Sequence, residues 1–385
     1  MKKILLFFAF ICLNIARVHA AEDFTTTATS AILMDFDTGS VLFEKKPDDL
    51  MPPASMSKLM TAYILFDRIK KGQVSLDDTF TVSENAWKKG GSKSGSSTMF
   101  LKPNSKVKVS DLIQGIIVQS GNDACITVAE NLSGSESAFA EEMTAKAREL
   151  GLEKSTFKNA TGLPDKEHLM TPRELALLSR RLIRDFPEFY PTYSQKNFTY
   201  NGIKQGNRNP LLYSMSGQAD GLKTGHTEKS GYGLAGSVKS KDGKRRLILI
   251  VNGLKSMKDR GTEAERLMKW GLREFDNYTL AFEGDEVIKI PVWFGKQKTV
   301  PAVLEEKPLL TLKAADKEKI KIKVSYQSPI EAPVQKGAPI GLITLSYPDG
   351  SVSKHTLVAG KSVEQLGYFG RLAETMRQWV KRIGG

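Results

Sequence analysis

The run Leu59-Met60-Thr61-Ala62-Tyr63-Ile64-Leu65-Phe66 constrains the fold more than any other stretch of this chain. Pro52 and Pro53 stand a few residues ahead of it. Proline suits the first turn of a helix, where its missing amide proton has no partner to lose, so the pattern predicts a helix from about Ala54 to Lys70. Wound that way, residues 59–66 are apolar nearly all round, and such a helix has to be enclosed by other elements instead of lying on a surface. Ser55 and Lys58, three apart, share one face at its head. Unpaired backbone amides and the positive end of the helix dipole favour negative charge near the Ser55 oxygen. Burial of Lys58 disfavours its charged form and lowers its pKa. A neutral amine beside a hydroxyl is a general base beside a nucleophile, whereas the simpler reading of Ser55 is a helix-cap serine.

The same spacing recurs at Ser105/Lys108, Ser155/Lys158 and Ser351/Lys354. Ser105 follows Pro103-Asn104 in a basic loop, Ser155 opens a short segment after a helix, and Ser351 adjoins the Asp349-Gly350 turn. None of the three heads a buried helix.

Two lysines precede an apolar run in MKKILLFFAFICLNIARVHA, which ends in Val18-His19-Ala20 with small residues at positions minus three and minus one. This reads as a secretory signal peptide over residues 1–20, cut after Ala20, with an apolar core shorter than the roughly 20 residues of a membrane span. Its removal takes away Lys2, Lys3 and Arg17 and no acid, so the formal charge falls from +13 to +10. Without an arginine-rich block or an aromatic-basic motif, that charge suits an acidic envelope or membrane surface better than nucleic acid. Cys12 leaves with the leader, so Cys125 is the only cysteine of the mature chain and no intramolecular disulfide can form; a buried small hydrophobe is its expected role.

A chain of 385 residues at ordinary composition suggests two globular domains. ATSAILMDF, DTGS and VLFEKK read as strand, turn and strand. Residues 85–165 look mainly helical, with AFAEEMTAKAREL stopped by Gly151. ADGLKTG, YGLAGSV and RRLILIVNG then read as strands, with Asp242-Gly243 as the tight turn between the last two. TEAERLMKWGLREF closes the domain as an amphipathic helix placing Leu267, Trp270 and Leu272 toward the sheet. From about Leu280, EVIKIPVWF, KIKIKVSY and PIGLITLSY read as a small all-β module. The tail GYFGRLAETMRQWVKRIGG returns to helical spacing. The resulting division is a leader over 1–20, a catalytic domain over 21–278, an all-β domain over 279–366 and a tail over 367–385.

Two further stretches support Ser55 as a nucleophile. SGNDAC contains Ser120-Gly121-Asn122, and DGLKTGHT contains Lys223-Thr224-Gly225 on an expected strand. The ordered set resembles the active-site triplet of penicillin-recognising serine acyltransferases. PPASMSKLMTAY, MFLKP, QSGNDAC, GNRNPLL, DGLKTGHTEKSGYGLAGS and RGTEAERLMKWG narrow the resemblance to low-molecular-mass penicillin-binding proteins that act as D-alanyl-D-alanine carboxypeptidases. The likeness runs from about residue 26 to residue 275. It implies an α/β (α+β) domain of the transpeptidase/β-lactamase kind, with an antiparallel sheet and a helical lobe. It also implies that Ser55 is acylated, that Lys58 accepts its proton, and that Ser120 with Lys223 passes a proton to the leaving group. Asn122 would hold a substrate amide, and the amides of Ser55 and His226 would form the oxyanion hole.

Gly225 lets the backbone of its strand approach a substrate that pairs along it. A substrate ending in a carboxylate needs a cation, for which Lys223, Thr224 and Arg260 are the candidates; a guanidinium takes a carboxylate bidentately, although Arg260 also reads as a surface cation beside Glu263 and Glu265. His168, His226 and His355 have no zinc-site spacing, and no metal or cofactor is expected. The expected partners are peptidoglycan stem peptides ending in D-Ala-D-Ala, β-lactams as covalent inhibitors, and a membrane surface. Wound as a helix, the tail places Phe369, Leu372, Met376, Trp379 and Ile383 along one side with Arg371, Arg377, Lys381 and Arg382 around them, the pattern of a helix lying in a membrane interface. The expected location is the periplasm, at the outer face of the cytoplasmic membrane. A β-lactamase using a glutamate such as Glu167, and a catalytically silent envelope-binding protein, are the alternatives.

Overall fold

The computed structural model describes residues 24–282 and 285–383. The leader expected over residues 1–20 lies outside the described residues.

The first unit is built on a five-stranded antiparallel sheet in the order 41–45, 30–35, 246–254, 231–239, 219–227. The alternation in its strands sorts side chains to two faces. Ala31, Leu33, Leu247, Leu249 and Val251 pack with Leu267 and Met268 of the Met257–Glu274 helix. Ile32, Met34, Ile248 and Ile250 face a helical lobe that includes Lys58–Lys70, Asn122–Ser133, Glu136–Glu149 and Pro172–Asp185. The sheet thus lies between one long helix and a lobe of several, and the Lys58–Lys70 helix is the centre of that lobe, buried at every residue from Lys58 to Phe66.

Three local features differ from the sequence reading. The central helix does not run unbroken from Ala54: Ala54–Ser57 forms a 3-10 turn and the α-helix begins at Lys58. Pro52 and Pro53 have no amide to donate, and the Ser57 hydroxyl closes the turn on the Ala54 carbonyl at 2.9 Å. The long closing helix buries Ala264, Leu267, Met268 and Gly271, whereas Trp270 and Leu272 sit half-buried at its flank. Gly271 explains the rotation, since a Cβ there would stand 2.4 Å from Leu33 Cδ2, so this is the line on which helix and sheet approach. Trp270 instead packs against the rings of Phe24, Phe43 and Phe275. Finally, the helix stops at Glu274, and Phe275–Thr279 already pairs with Leu309–Lys313, so the second unit is entered a few residues before Leu280.

That second unit is all β, with a six-stranded sheet in the order 321–326, 339–346, 352–359, 299–304, 286–293, 330–331. It has its own core around Ile290, Val300, Ile343, Leu345 and Leu357. A hydrogen-bonded joint ties the units together: Thr38 and Thr311 hydroxyls meet at 2.6 Å, and Asn277 Nδ2 donates to Asp35 Oδ1 at 3.3 Å. A helix over Tyr368–Ile383 follows, with Tyr368, Phe369, Leu372, Met376 and Trp379 exposed and Glu374 bonded to Lys298 at 2.9 Å. Among the described residues, no helix is long and apolar enough to cross a membrane.

Candidate active site

Ser55 sits in the 3-10 turn just after Ala54, whose φ of +49° is the left-handed conformation that alanine rarely takes. Strain of this kind is concentrated at functional sites. Lys58 Nζ lies 2.8 Å from Ser55 Oγ and donates to the Thr161 carbonyl at 2.5 Å. The lysine is almost wholly enclosed, and burial lowers its pKa from 10.5 to about 8. The shift has the expected sign, and it is opposed by the fields of Cys125, Asp123 and Glu136.

Ser120 follows a single π-helical stretch over Gly115–Gln119 and itself takes a left-handed φ of +59°. The Gly121 amide folds back on the Gly115 carbonyl at 2.9 Å, and a new helix starts at Asn122. Ser120 Oγ is buried with no hydrogen-bond partner among the described residues. Asn122 donates through Nδ2 to Ser96 Oγ at 2.8 Å, while its Oδ1 is buried and has no partner among the described residues. The buried Asp123 carboxylate holds the adjoining loop, accepting from Thr98 Oγ1 at 2.7 Å and from the amides of Met99 and Leu101 at 2.8 and 3.0 Å.

The Ala219–Thr227 strand forms the third wall. A Cβ on Gly225 would lie 2.7 Å from the Pro53 carbonyl oxygen, so only glycine lets this strand close on the nucleophile turn. Lys223 is buried, and burial holds its pKa well below the ordinary lysine range, with Lys58 and Arg208 acting in the same direction. Thr224 is buried, whereas the His226 ring is exposed and stacks on Tyr232 at a centroid distance of 3.9 Å.

Arg260 occupies the first turn of the Met257–Glu274 helix and is buried, contrary to the surface alternative. Glu263 binds Thr26, Thr27 and Arg266, and Glu265 binds Lys269, so neither glutamate is its partner. Its guanidinium lies over the Tyr232 ring and donates to the Arg208 carbonyl at 3.3 Å, while Nε is buried without a partner among the described residues. Burial pushes its pKa down to about 10. The chemistry on offer is a hydroxyl with an adjacent buried amine, a second buried amine, an unpartnered hydroxyl and an incompletely paired guanidinium.

The family model for D-alanyl-D-alanine carboxypeptidases, peptidase S11, matches residues 16–256. The chain belongs to this family. Consistent with membership in peptidase S11, the model for the penicillin-binding protein 5 C-terminal domain matches residues 275–365. The chain is 38% identical over 371 residues to the D-alanyl-D-alanine carboxypeptidase DacC of Escherichia coli K12, covering 94% of this chain and 92% of that protein. Its fold matches penicillin-binding protein 5 from Haemophilus influenzae with a TM-score of 0.77 at 33% identity, covering 89% of this chain and 99% of that one. Penicillin-binding protein D2 from Listeria monocytogenes in its ampicillin-bound form matches over 64% of this chain and 98% of its own, at 32% identity and a TM-score of 0.55.

Several groups of this candidate site were not singled out from the sequence. The Thr161 carbonyl carries no side-chain signal, because a backbone acceptor is defined only by the path of the chain. Arg208, in the noted GNRNPLL, donates to Ser97 Oγ, and burial lowers its pKa. The carboxylate of Asp123 lies within QSGNDAC, but its grip on residues 98–101 depends on tertiary folding. Cys125 is fully buried and its thiol pKa is pushed up to about 12 by burial, as suits an unreactive apolar filler. Glu167 is exposed and paired with Lys158 at 2.9 Å.

Proposed function

We propose that this protein is a serine-type D-Ala-D-Ala carboxypeptidase that removes the terminal D-alanine from peptidoglycan stem peptides through an acyl-enzyme on Ser55. The observation that carries the reading is the 2.8 Å contact between Ser55 Oγ and the buried amine of Lys58. Neutral Lys58 takes the hydroxyl proton as Oγ attacks the carbonyl carbon of the penultimate residue. Charge developing on the carbonyl oxygen is met by the amides of Ser55 and His226, and losing one such donor typically costs roughly 100-fold to 1,000-fold. Ser120 and Lys223 relay a proton to the departing amine as its bond to the acyl carbon breaks. Asn122 holds a substrate amide, and the Gly225 backbone accepts the substrate as an added strand. Lys223, Thr224 and Arg260 receive the terminal carboxylate. The resulting ester is hydrolysed by water.

A β-lactam reacts at the same serine, but its leaving nitrogen stays tethered to the acyl group, so it acts as a covalent inhibitor. The exposed, ion-paired Glu167 offers no support for a β-lactamase's hydrolytic base. The enzyme works in the periplasm, where its substrate is, and rests on the outer face of the cytoplasmic membrane through the Tyr368–Ile383 helix, whose exposed Phe369, Leu372, Met376 and Trp379 support that role.

Incubating the purified protein with a peptide ending in D-Ala-D-Ala tests the activity directly by release of free D-alanine. Ser55→Ala is expected to abolish both this release and covalent labelling by a fluorescent penicillin while the fold persists. Labelling that survives on another serine would reject the assignment.

A further inference from the structure

Asn159 lies in a short turn, remote in sequence from all three motifs, and its side chain is buried. Its Oδ1 accepts from the Thr161 amide at 3.1 Å, the Thr161 hydroxyl at 2.9 Å and the Gly162 amide at 2.7 Å. Its Nδ2 donates to the Leu163 carbonyl at 3.0 Å. One side chain therefore shapes residues 159–163. Two successive carbonyls of this turn are bound by one face of the central helix: Lys58 Nζ donates to Thr161 O at 2.5 Å, and Thr61 Oγ1 donates to Ala160 O at 2.7 Å.

The consequence follows from the shape of a neutral amine. Such a group has two N–H bonds and one lone pair and turns freely about its last carbon–nitrogen bond. It removes the Ser55 proton only when the lone pair points along the 2.8 Å line to Oγ. A carbonyl accepts and cannot donate, so at hydrogen-bond distance it claims an N–H and stops the rotor. We propose that Asn159 is a positioning residue for acylation: it builds the turn whose Thr161 carbonyl takes one N–H of neutral Lys58 and aims the lone pair at the Ser55 hydroxyl. When the hydroxyl proton moves to Nζ and the Oγ electron pair bonds to the acyl carbon, the same carbonyl accepts from the ammonium formed. This rests on the carboxypeptidase reading of the site.

The other charged or titratable groups that face Lys58 are Cys125 and Asp123 on the Asn122–Ser133 helix, Glu136 on the next helix, Lys223 on its strand, and Arg208 and His168 from loops. None of them bonds to the Asn159 side chain, although the Ala160 amide of the same turn donates to Glu136 Oε1 at 3.2 Å and the Lys158 amide beside it to His168 Nδ1 at 3.3 Å.

The test is the rate of Ser55 acylation by a fluorescent penicillin, measured against pH for the full mature chain and for Asn159→Ala and Asn159→Asp. Asn159→Ala is expected to lower the high-pH plateau about 10-fold or more, the scale of a sub-ångström misplacement. The midpoint of its acid limb should move down by about half a unit, because the ammonium loses a well-placed acceptor. Asn159→Asp keeps the Oδ1 acceptor for the Thr161 and Gly162 amides but gives up the donation to the Leu163 carbonyl; it should retain most of the plateau, while its negative charge moves the midpoint up. A mere folding defect would lower the fraction of active protein without moving either midpoint. An unchanged plateau and midpoint in Asn159→Ala that melts cooperatively would overturn the proposal. If Asn159→Ala does not fold, a fall of about 10-fold or more in the plateau of a cooperatively melting Asn159→Asp, which keeps the Oδ1 acceptor, would overturn it alone. A wild-type chain that is not acylated on Ser55 would instead overturn the carboxypeptidase reading, and this proposal with it.

Discussion

Gly162→Ala puts the contact between two distant segments under direct strain. Gly162 has a φ of +79°, and a Cβ there would stand 1.9 Å from the Ala54 carbonyl oxygen and 2.5 Å from Ser57 Oγ. An unstrained carbon–oxygen contact is about 3.3 Å, so the two segments have to separate by more than about 1 Å. The left-handed backbone costs alanine about 1–2 kcal/mol and overpacking adds about 1–3 kcal/mol, a loss of about 2–5 kcal/mol in all. Urea unfolding measures that loss. The larger effect is on chemistry, because Ala54 precedes the nucleophile and Thr161, which holds Lys58, precedes Gly162. A misplacement of about 1 Å at a reacting group costs on the order of 100-fold, and that is the expected fall in acylation by a fluorescent penicillin and in D-alanine release. A folded Gly162→Ala protein acylated at the wild-type rate would refute the argument that the nucleophile turn and the 159–163 turn are locked together.

Acylation requires neutral Lys58, so its rate should rise with pH through about 8, and a rate that falls over that interval would remove Lys58 as the base. Arg260→Ala should weaken transition-state binding of a carboxylate-ended substrate by about 1.5–3 kcal/mol, read from kcat/KM. An unchanged kcat/KM would make the buried guanidinium structural. Truncation after Leu366 should leave activity on small peptides intact and abolish salt-sensitive binding to anionic vesicles. Equal vesicle binding by both forms would refute the anchor.

The helical and strand segments of the catalytic unit were legible because their patterns are local. The nearly unbroken apolar run over residues 59–66 announces a helix that proves buried along that run, and the continuous apolar run Leu247–Val251 belongs to a strand that proves buried on both faces. The orientation of the Met257–Glu274 helix was not legible, since Leu267, Trp270 and Leu272 satisfy an amphipathic pattern as well as the observed stripe does. What settles it is the close approach at Gly271, a fit to the sheet that periodicity does not encode. Likewise, Ser55, Lys58, Ser120, Asn122 and the Lys223–His226 stretch were named from motifs, whereas Arg208 and the Thr161 carbonyl emerge only from the folded site.

The sequence by itself determined which residue types are available for the chemistry and which helix carries the serine and its lysine, because both depend on neighbours a few positions apart. Tertiary structure decided what those groups are able to do. The low proton affinity of Lys58 and Lys223 comes from burial by distant segments, and the direction of the Lys58 amine comes from a carbonyl 103 positions away. The availability of Arg260 comes from the rotation of its helix, which turns the guanidinium over Tyr232 and away from both glutamates. Desolvation and hydrogen-bond direction act through space, so they are fixed only when the chain has brought its remote parts together.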